Sequence, residues 1–289
     1  MPLAIVIAAL VVGSVLFHLV SPWWQTPIAS NWASIDSALD VTLWICGLAF
    51  VVLNLFLANA VWRYRHRPGH KAHYEPENAA LEKRLTFWTG IGIIGMLAPG
   101  LAAWDKYVTV PEDAALVEAV GQQWQWSFRY PGPDGVLGAA GVMHITPENT
   151  LGLDPTDPFG RDDILVEAGD MHLPVDQPVK MVLRSKDVLH DFYVPEFRAK
   201  MDLVPGIVTY FWMTPTVAGD FEILCAELCG VGHHEMRGKV VVEDRAAFDA
   251  WQAEQITFGE VLAQASPASR YAMFATADVC IGTSNWSNP

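Results

Sequence analysis

Three long stretches without a formal charge constrain this chain more than anything else in it: Leu3 to Val20, Val41 to Trp62 and Leu85 to Trp104. A helix rises 1.5 Å per residue, so each stretch is about long enough to cross roughly 30 Å of hydrocarbon. Core helices of soluble proteins rarely run so far without a charge, and the second and third stretches are read as membrane spans. The first is shorter and carries His18. It lacks a basic leader, and no small-x-small cleavage site follows closely, so it is read as a retained third span rather than a removed signal. These segments hold much of the 52% hydrophobic content of the 289 residues.

Charge divides the chain at the same place. Residues 1–104 hold 6 Lys and Arg against 5 Asp and Glu, leaving 12 against 27 for the rest. A strongly acidic soluble part repels the phosphates of nucleic acid and suits a basic protein partner, although a merely solvated surface has the same composition. The segment between the second and third spans carries Arg63, Arg65, Arg67, Lys71, Lys83 and Arg84, with His66, His70 and His73. Basic connections stay on the cytoplasmic side, so the part after Trp104 is expected on the opposite face, in the periplasm or its mitochondrial equivalent.

After Trp104 the pattern changes to short alternating segments divided by Gly, Pro and Asp. Strands are expected at Ala115–Val120, Trp124–Tyr130, Ile164–Glu167, Val179–Arg184, Asp191–Val194, Ile207–Met213, Asp220–Leu224 and Lys239–Glu243. In Val179–Arg184, Val179, Met181 and Leu183 face one way and Lys180 and Arg184 the other, the period-2 signature of a half-buried strand. Many short punctuated strands make the fold class mainly β, a sandwich or barrel behind N-terminal transmembrane helices. Pro131 to Asp163, rich in Gly, Pro and Asp, is expected to be a long surface excursion. Arg245 to Gln264 has helical spacing, and Tyr271 to Pro289 is expected to be a poorly ordered tail. The expected divisions are a membrane anchor over 1–104, a β domain over 105–245, and a helix with tail over 246–289.

Metal-binding chemistry concentrates in Cys225-Ala-Glu-Leu-Cys229-Gly-Val-Gly-His233-His234-Glu-Met236. Thiolate, imidazole and thioether together suit copper better than magnesium or calcium, which prefer oxygen. Zinc takes thiolate and imidazole but has little use for Met. Two thiolates in one compact loop can bridge two ions. A Cys225–Cys229 disulfide is the plain alternative, but it leaves His233 and Met236 without a purpose. Cys46 reads as an apolar residue within a span, and Cys280 lies in the uninformative tail. A second imidazole is needed if each copper is to have its own. His190 heads an expected strand, and cupredoxin sites gather one remote His and a loop cluster at one end of the sandwich. Taken singly, such a His is more often structural. His234 is read as supporting or exposed.

From roughly residue 38 to 245 the sequence resembles subunit II of haem-copper cytochrome c oxidases. The resemblance rests on Cys-x-Glu-x-Cys-Gly-x-x-His-x-x-Met, matched by Cys225, Glu227, Cys229, Gly230, His233 and Met236. An upstream segment is matched by Asp187, His190, Val194 and Pro195, and an aromatic stretch by Gly121, Gln123, Trp124 and Trp126. It implies a cupredoxin-like domain holding two copper ions. Cys225 and Cys229 would bridge them, His190 and His233 would cap one each, and Met236 and the Glu227 carbonyl would be weak axial ligands. Two coppers sharing thiolates spread one electron over both metals, so little moves on reduction. The Glu227 carboxylate would bind magnesium at the boundary with subunit I, near Lys200 and Asp202. Trp124 would take the electron from cytochrome c, and haem in subunit I would use it to reduce oxygen to water in a proton-translocating complex.

The implied partners are subunit I, further oxidase subunits, cytochrome c and the lipid bilayer, with no nucleic acid. The implied location is the inner membrane of a bacterium with the C-terminal domain in the periplasm. The chain departs from the family at Gln122 and Gln125, where His and Tyr are usual. It also has Leu85 where many members carry a channel-mouth Glu; Glu82 lies one turn earlier. No Cys-x-x-Cys-His occurs, so the cytochrome donor is expected to be a separate protein. Quinol oxidase subunits lack the copper ligands, and nitrous oxide reductase adds a propeller for which there is no room. A copper-delivery protein has no use for Glu227 or the aromatic stretch. A copper-dependent nitric oxide reductase subunit stays open, because the difference lies in the catalytic subunit.

Overall fold

The computed structural model describes residues 2–20, 26–71 and 76–265, together with 267, 269, 273 and 274. The chain divides into two compact units, one of Met1–Thr26 with Ala33–Lys106 and one of Pro27–Trp32 with Tyr107–Pro289.

The first unit consists of α1 (Pro2–Val20), α2 (Ala33–Arg63) and α3 (Ala79–Val108). All three are long and apolar enough to cross a membrane, and α1 packs on α2. Both longer helices outrun their uncharged stretches. α2 begins before Val41 with Asp36 in its first turn, where a carboxylate complements the helix dipole. α3 begins at a cap, with Asn78 Oδ1 accepting from the Leu81 amide at 3.0 Å. Glu82 and Leu85 both lie on this continuous helix and are exposed, as the reading of one turn between them requires. At the other end of the connection, Arg65 Nη1 donates to the Trp62 carbonyl at 2.7 Å, satisfying the end of α2. His73 lies outside the described residues.

The second unit is a cupredoxin-like sandwich of two five-stranded sheets. Its strands are β1 (Ala115–Gln122), β2 (Gln125–Tyr130), β3 (Ile164–Glu167), β4 (Met171–Pro174), β5 (Val179–Ser185), β6 (His190–Val194), β7 (Ala199–Leu203), β8 (Thr209–Met213), β9 (Gly219–Cys225) and β10 (Arg237–Glu243). One sheet runs β3-β2-β1-β5-β8 and the other β4-β10-β9-β6-β7. Period-2 alternation sends Ala119, Phe128, Met181, Leu183, Phe192, Phe211, Ile223 and Val240 into the interior, all of them buried. The eight strands expected from sequence form, and β4 and β7 are added at the two edges of the second sheet. β4 is short and ends in Pro174, which has no amide to donate and is tolerated at an edge.

Pro27–Trp32 belongs to this unit. The Ala29 amide donates to the Glu196 carbonyl at 2.8 Å and the Asn31 amide to the Thr214 carbonyl at 3.1 Å. Trp32 is buried against Trp212 and Tyr107, with ring centroids 4.9 and 5.1 Å away. Its indole N–H donates to the Trp212 carbonyl at 3.0 Å. Trp32, just before α2, thus packs within this unit on Tyr107 in the last turn of α3.

The 131–163 excursion is more than a surface loop. Its Leu151 and Leu153 are buried with Val120, Leu165, Phe258, Leu262 and Met273 in a second apolar core on the outer face of the first sheet. The expected single helix over Arg245 to Gln264 is two, α4 (Arg245–Ala253) and α5 (Phe258–Gln264). The break comes from a new capping box, in which Thr257 and Glu260 satisfy each other's amides. α5 is tied to the excursion by the Phe258 amide on the Asp163 carbonyl at 2.8 Å and the Gly259 amide on the Arg161 carbonyl at 2.7 Å. Apart from Met273, which is buried, and Phe274, the expected tail Tyr271 to Pro289 lies outside the described residues.

This third layer buries charge. Glu118 accepts from Arg129 Nε at 2.7 Å and from Arg184 Nε at 2.6 Å, and Arg129 Nη1 reaches Asp163 Oδ2 at 2.8 Å. Burial alone would raise the Glu118 pKa, but the two guanidiniums outweigh it and lower the value. At Asp163 burial wins over Arg129 and pushes the carboxyl up to about 6. Removing one partner of such a cluster leaves the others buried and unbalanced. Glu118→Gln is therefore expected to destabilise the protein by about 3–5 kcal/mol. Thermal unfolding of the purified protein reads this as a lowered midpoint, and an unchanged midpoint would show that water reaches both guanidiniums.

Candidate metal centre

Three strand ends meet at one edge of the second sheet. β9 ends at Cys225 and pairs with β6, placing Phe192 opposite Cys225, and with β10, placing Arg237 opposite Leu224. His190, which opens β6, and Met236, just before β10, therefore arrive beside Cys225. The Cys225 amide donates to the Met236 carbonyl at 3.3 Å and the Ala226 amide to the Asp191 carbonyl at 3.1 Å. The connection between them makes a 3-10 turn at His233–Glu235, which carries His233 back over Cys229.

The candidate ligand atoms converge. Cys225 Sγ lies 3.7 Å from Cys229 Sγ, 3.9 Å from His190 Nδ1 and 3.2 Å from the Glu227 carbonyl oxygen. Cys229 Sγ lies 3.5 Å from His233 Nδ1 and 3.8 Å from Met236 Sδ. Metal–ligand bonds of about 2.0–2.3 Å put tetrahedral donors roughly 3.3–3.8 Å apart, so this spacing fits metal coordination. His190, Cys225 and Cys229 are buried and hold their donor atoms within 4.8 Å of one another. Both thiols are free in this structure. His234 stands exposed beside Glu235 at 3.6 Å. Cys46 Sγ is 4.0 Å from Met96 Sδ within the helical unit, and Cys280 lies outside the described residues.

Neighbouring groups set the chemistry of these donors. His190 Nε2 is 2.8 Å from Asp187 Oδ1, so the ring donates there and turns Nδ1 toward the thiols. Asp187 is itself held, accepting from the Gln123 amide at 2.7 Å and the Val188 amide at 2.7 Å. Burial opposes ionisation of Cys225, but the His190 contact and further hydrogen bonds bring it down to about 6. Burial and the adjacent Cys225 push Cys229 up to about 11. One thiolate thus forms readily, and a cation is what draws the second proton off.

Trp124 lies in the turn between β1 and β2, partly exposed. Its indole N–H reaches the Cys229 carbonyl at 3.3 Å, and Gln123 Nε2 donates to the same oxygen at 2.9 Å. Lys200 and Asp202 sit on β7 opposite Tyr193 and Asp191. Lys200 Nζ pairs with Asp191 Oδ2 at 2.5 Å, and the Glu227 charge also acts on it. Burial pushes Asp191 up to about 6 against the pull of Lys200. Asp191 was not foreseen from sequence; a charged residue inside an otherwise apolar strand, between His190 and Phe192, was the available signal.

The family described as "Cytochrome C oxidase subunit II, periplasmic domain" matches residues 115–244. The alternative cytochrome c oxidase subunit 2 of Bradyrhizobium diazoefficiens is 56% identical, over 89% of this chain and 93% of that protein. The cytochrome c oxidase subunit 2 of Cereibacter sphaeroides is 28% identical, over 72% and 74%. A crystal structure of the periplasmic domain of subunit II of cytochrome oxidase from Bradyrhizobium japonicum is 29% identical with a TM-score of 0.37, covering 50% of this chain and 95% of that one. A strand-framed cluster of two thiols, two imidazoles and a thioether lies within the matched region, and this chain belongs to the cytochrome c oxidase subunit II family.

Proposed function

We propose that the chain is the electron-accepting subunit of a haem-copper cytochrome c oxidase. It takes electrons from cytochrome c at a dinuclear copper centre and passes them to haem in subunit I, where oxygen is reduced to water. The observation that carries this reading is the pair of sulfurs 3.7 Å apart, flanked by an imidazole nitrogen on each side. Cys225 and Cys229 would hold the two ions between them, His190 and His233 would each supply one an imidazole nitrogen, and Met236 and the Glu227 carbonyl would complete the donor set. When bound, the copper pair stores one electron shared over two metals. The residues' part is to keep that site still. Strand ends fix three of the ligands, Asp187 fixes the His190 ring, and the buried surroundings keep water away.

For magnesium this chain offers the Glu227 carboxylate, with the remaining ligands left to subunit I. The domain with the copper site lies in the periplasm of a bacterium, and the three apolar helices anchor it in the inner membrane beside the other oxidase subunits. Trp124, with its ring at the surface and its N–H on the carbonyl of a copper ligand, is the group that meets cytochrome c.

Cys229→Ser is expected to abolish the mixed-valence signal of the copper pair in electron paramagnetic resonance. Purified protein that carries zinc, or a single copper with no such signal, would contradict the assignment. Trp124→Gln is expected to slow oxidation of ferrocytochrome c while copper stays bound; loss of copper instead would make the ring structural. Charge attraction between the acidic domain and a basic cytochrome c is screened over about 10 Å at 0.1 M salt. Turnover is therefore expected to fall steeply as ionic strength rises, and a flat profile would point to apolar docking or a tethered donor.

A further inference from the structure

Gly232 has no backbone reason to be glycine. Its φ of −91° and ψ of 12° are those of the third residue of an ordinary turn, open to any side chain. What a side chain would meet is Trp124. A Cβ at Gly232 would lie 2.5 Å from Trp124 Cδ2 and 2.8 Å from Cε3 and Cγ, well inside the 3.5–4.0 Å or so at which carbons attract. Gly230 carries the other edge of the same indole, where a Cβ would lie 3.2 Å from Cζ2 and 3.4 Å from Nε1. There φ is +122°, so the backbone demands glycine independently. Between them Val231 is 88% exposed. The indole thus packs against two bare Cα positions, with its N–H on the Cys229 carbonyl.

We propose that Gly232 is a positioning residue for electron uptake, a seat that lets Trp124 rest on the backbone of the metal loop. The inference deepens the reading of Trp124 as the electron-accepting ring and rests on it. One electron leaves ferrocytochrome c, which departs as ferricytochrome c, and crosses from the ring to the metal centre, which is reduced by one electron. Any gap between ring and loop lengthens that crossing. A methyl group at 232 requires movement of about 1 Å to restore normal contact. The ring gives way, because it is 38% exposed, whereas the loop is stapled by the Cys225–Met236 and His233–Gly230 backbone bonds. Lifting the ring also stretches its 3.3 Å bond to Cys229.

The test compares Gly232→Ala, Trp124→Gln and the double mutant in the intact, metal-loaded complex. Gly232→Ala is expected to keep the mixed-valence copper signal and to lower kcat with cytochrome c about tenfold, within the roughly hundredfold that a misplacement of about 1 Å can cost. KM should change little, and so should oxidation of a small artificial reductant that approaches the loop directly. In the Trp124→Gln background the same substitution is expected to add nothing, because there is no ring to lift. Should Gly232→Ala disturb copper, recovery of the signal in the double mutant would still report the clash with the ring. A normal rate in Gly232→Ala, an equal further loss in the double mutant, or copper loss in both would overturn the seat. Should Trp124→Gln itself have no effect, the electron-accepting role of the ring would fail, and the seat with it.

Discussion

Strand β9 is paired on both sides, and the candidate metal site depends on that double pairing. Its ladders to β6 and β10 put Phe192 opposite Cys225 and Arg237 opposite Leu224. A slip of one residue in either ladder would send His190 or Met236 to the other face of the sheet. With three donors set by register, the connection has only to return Cys229 and His233 to the same place. It can therefore be short, glycine-rich and exposed without losing its geometry. Its middle is held from outside as well, since Gln123 and Trp124 both reach the Cys229 carbonyl, and Asp187 ties the Gln123 amide to the His190 ring.

The same sandwich carries a layer that the candidate metal site does not need. The outer face of a sheet in a two-sheet sandwich usually carries polar residues and meets water, yet on this mixed sheet the excursion and α5 cover it. Glu118, Arg129, Arg184 and Asp163, two of each sign, are shut in beneath. A buried ionic group is weak support for stability compared with well-packed apolar side chains. Its value here is directional. Arg129 Nη1 also donates to the Gly138 carbonyl at 2.7 Å, and Arg184 Nη2 to the Leu151 carbonyl at 3.1 Å. Two guanidiniums fixed by strands thus determine where the excursion lies, which apolar contacts alone would leave loosely specified.

The legible parts were those with local signals. Spans follow from uncharged length, and eight strands follow from alternation between turn residues. The ligand loop is read from residue types packed into twelve positions. Most of what escaped depends on distant partners. β7 alternates well, but Lys200 and Asp202 suggested a site rather than an edge strand. The break before α5 carries a local signal, Thr257 with Glu260 three residues on, which the helical spacing running across Arg245 to Gln264 masks. His190 could be nominated from the fold pattern and the resemblance, but its orientation could not, because Asp187 matters only once β6 is placed. Asp191 stands out in the sequence as a charge in an apolar strand, but its partners appear only with the β6–β7 register that sets it opposite Asp202.

The surroundings of Trp124 differ from the domain as a whole. The part after Trp104 is strongly acidic, yet the metal loop also exposes apolar side chains, with Val231 88% and Leu228 76% exposed alongside the polar His234 and Glu235. Attraction over many ångströms and contact over a few are thus assigned to different surfaces. Long-range charge raises the rate of encounter and orients a basic partner, whereas charges at the contact itself would have to be desolvated and would slow release. A donor that delivers one electron and must leave is better served by a small apolar contact at the ring. The bare seat at Gly232 belongs to the same arrangement. On the proposed reading it keeps Trp124 low on the loop, so that a donor meeting the ring would come close to the Cys229 carbonyl rather than be held off by a raised indole.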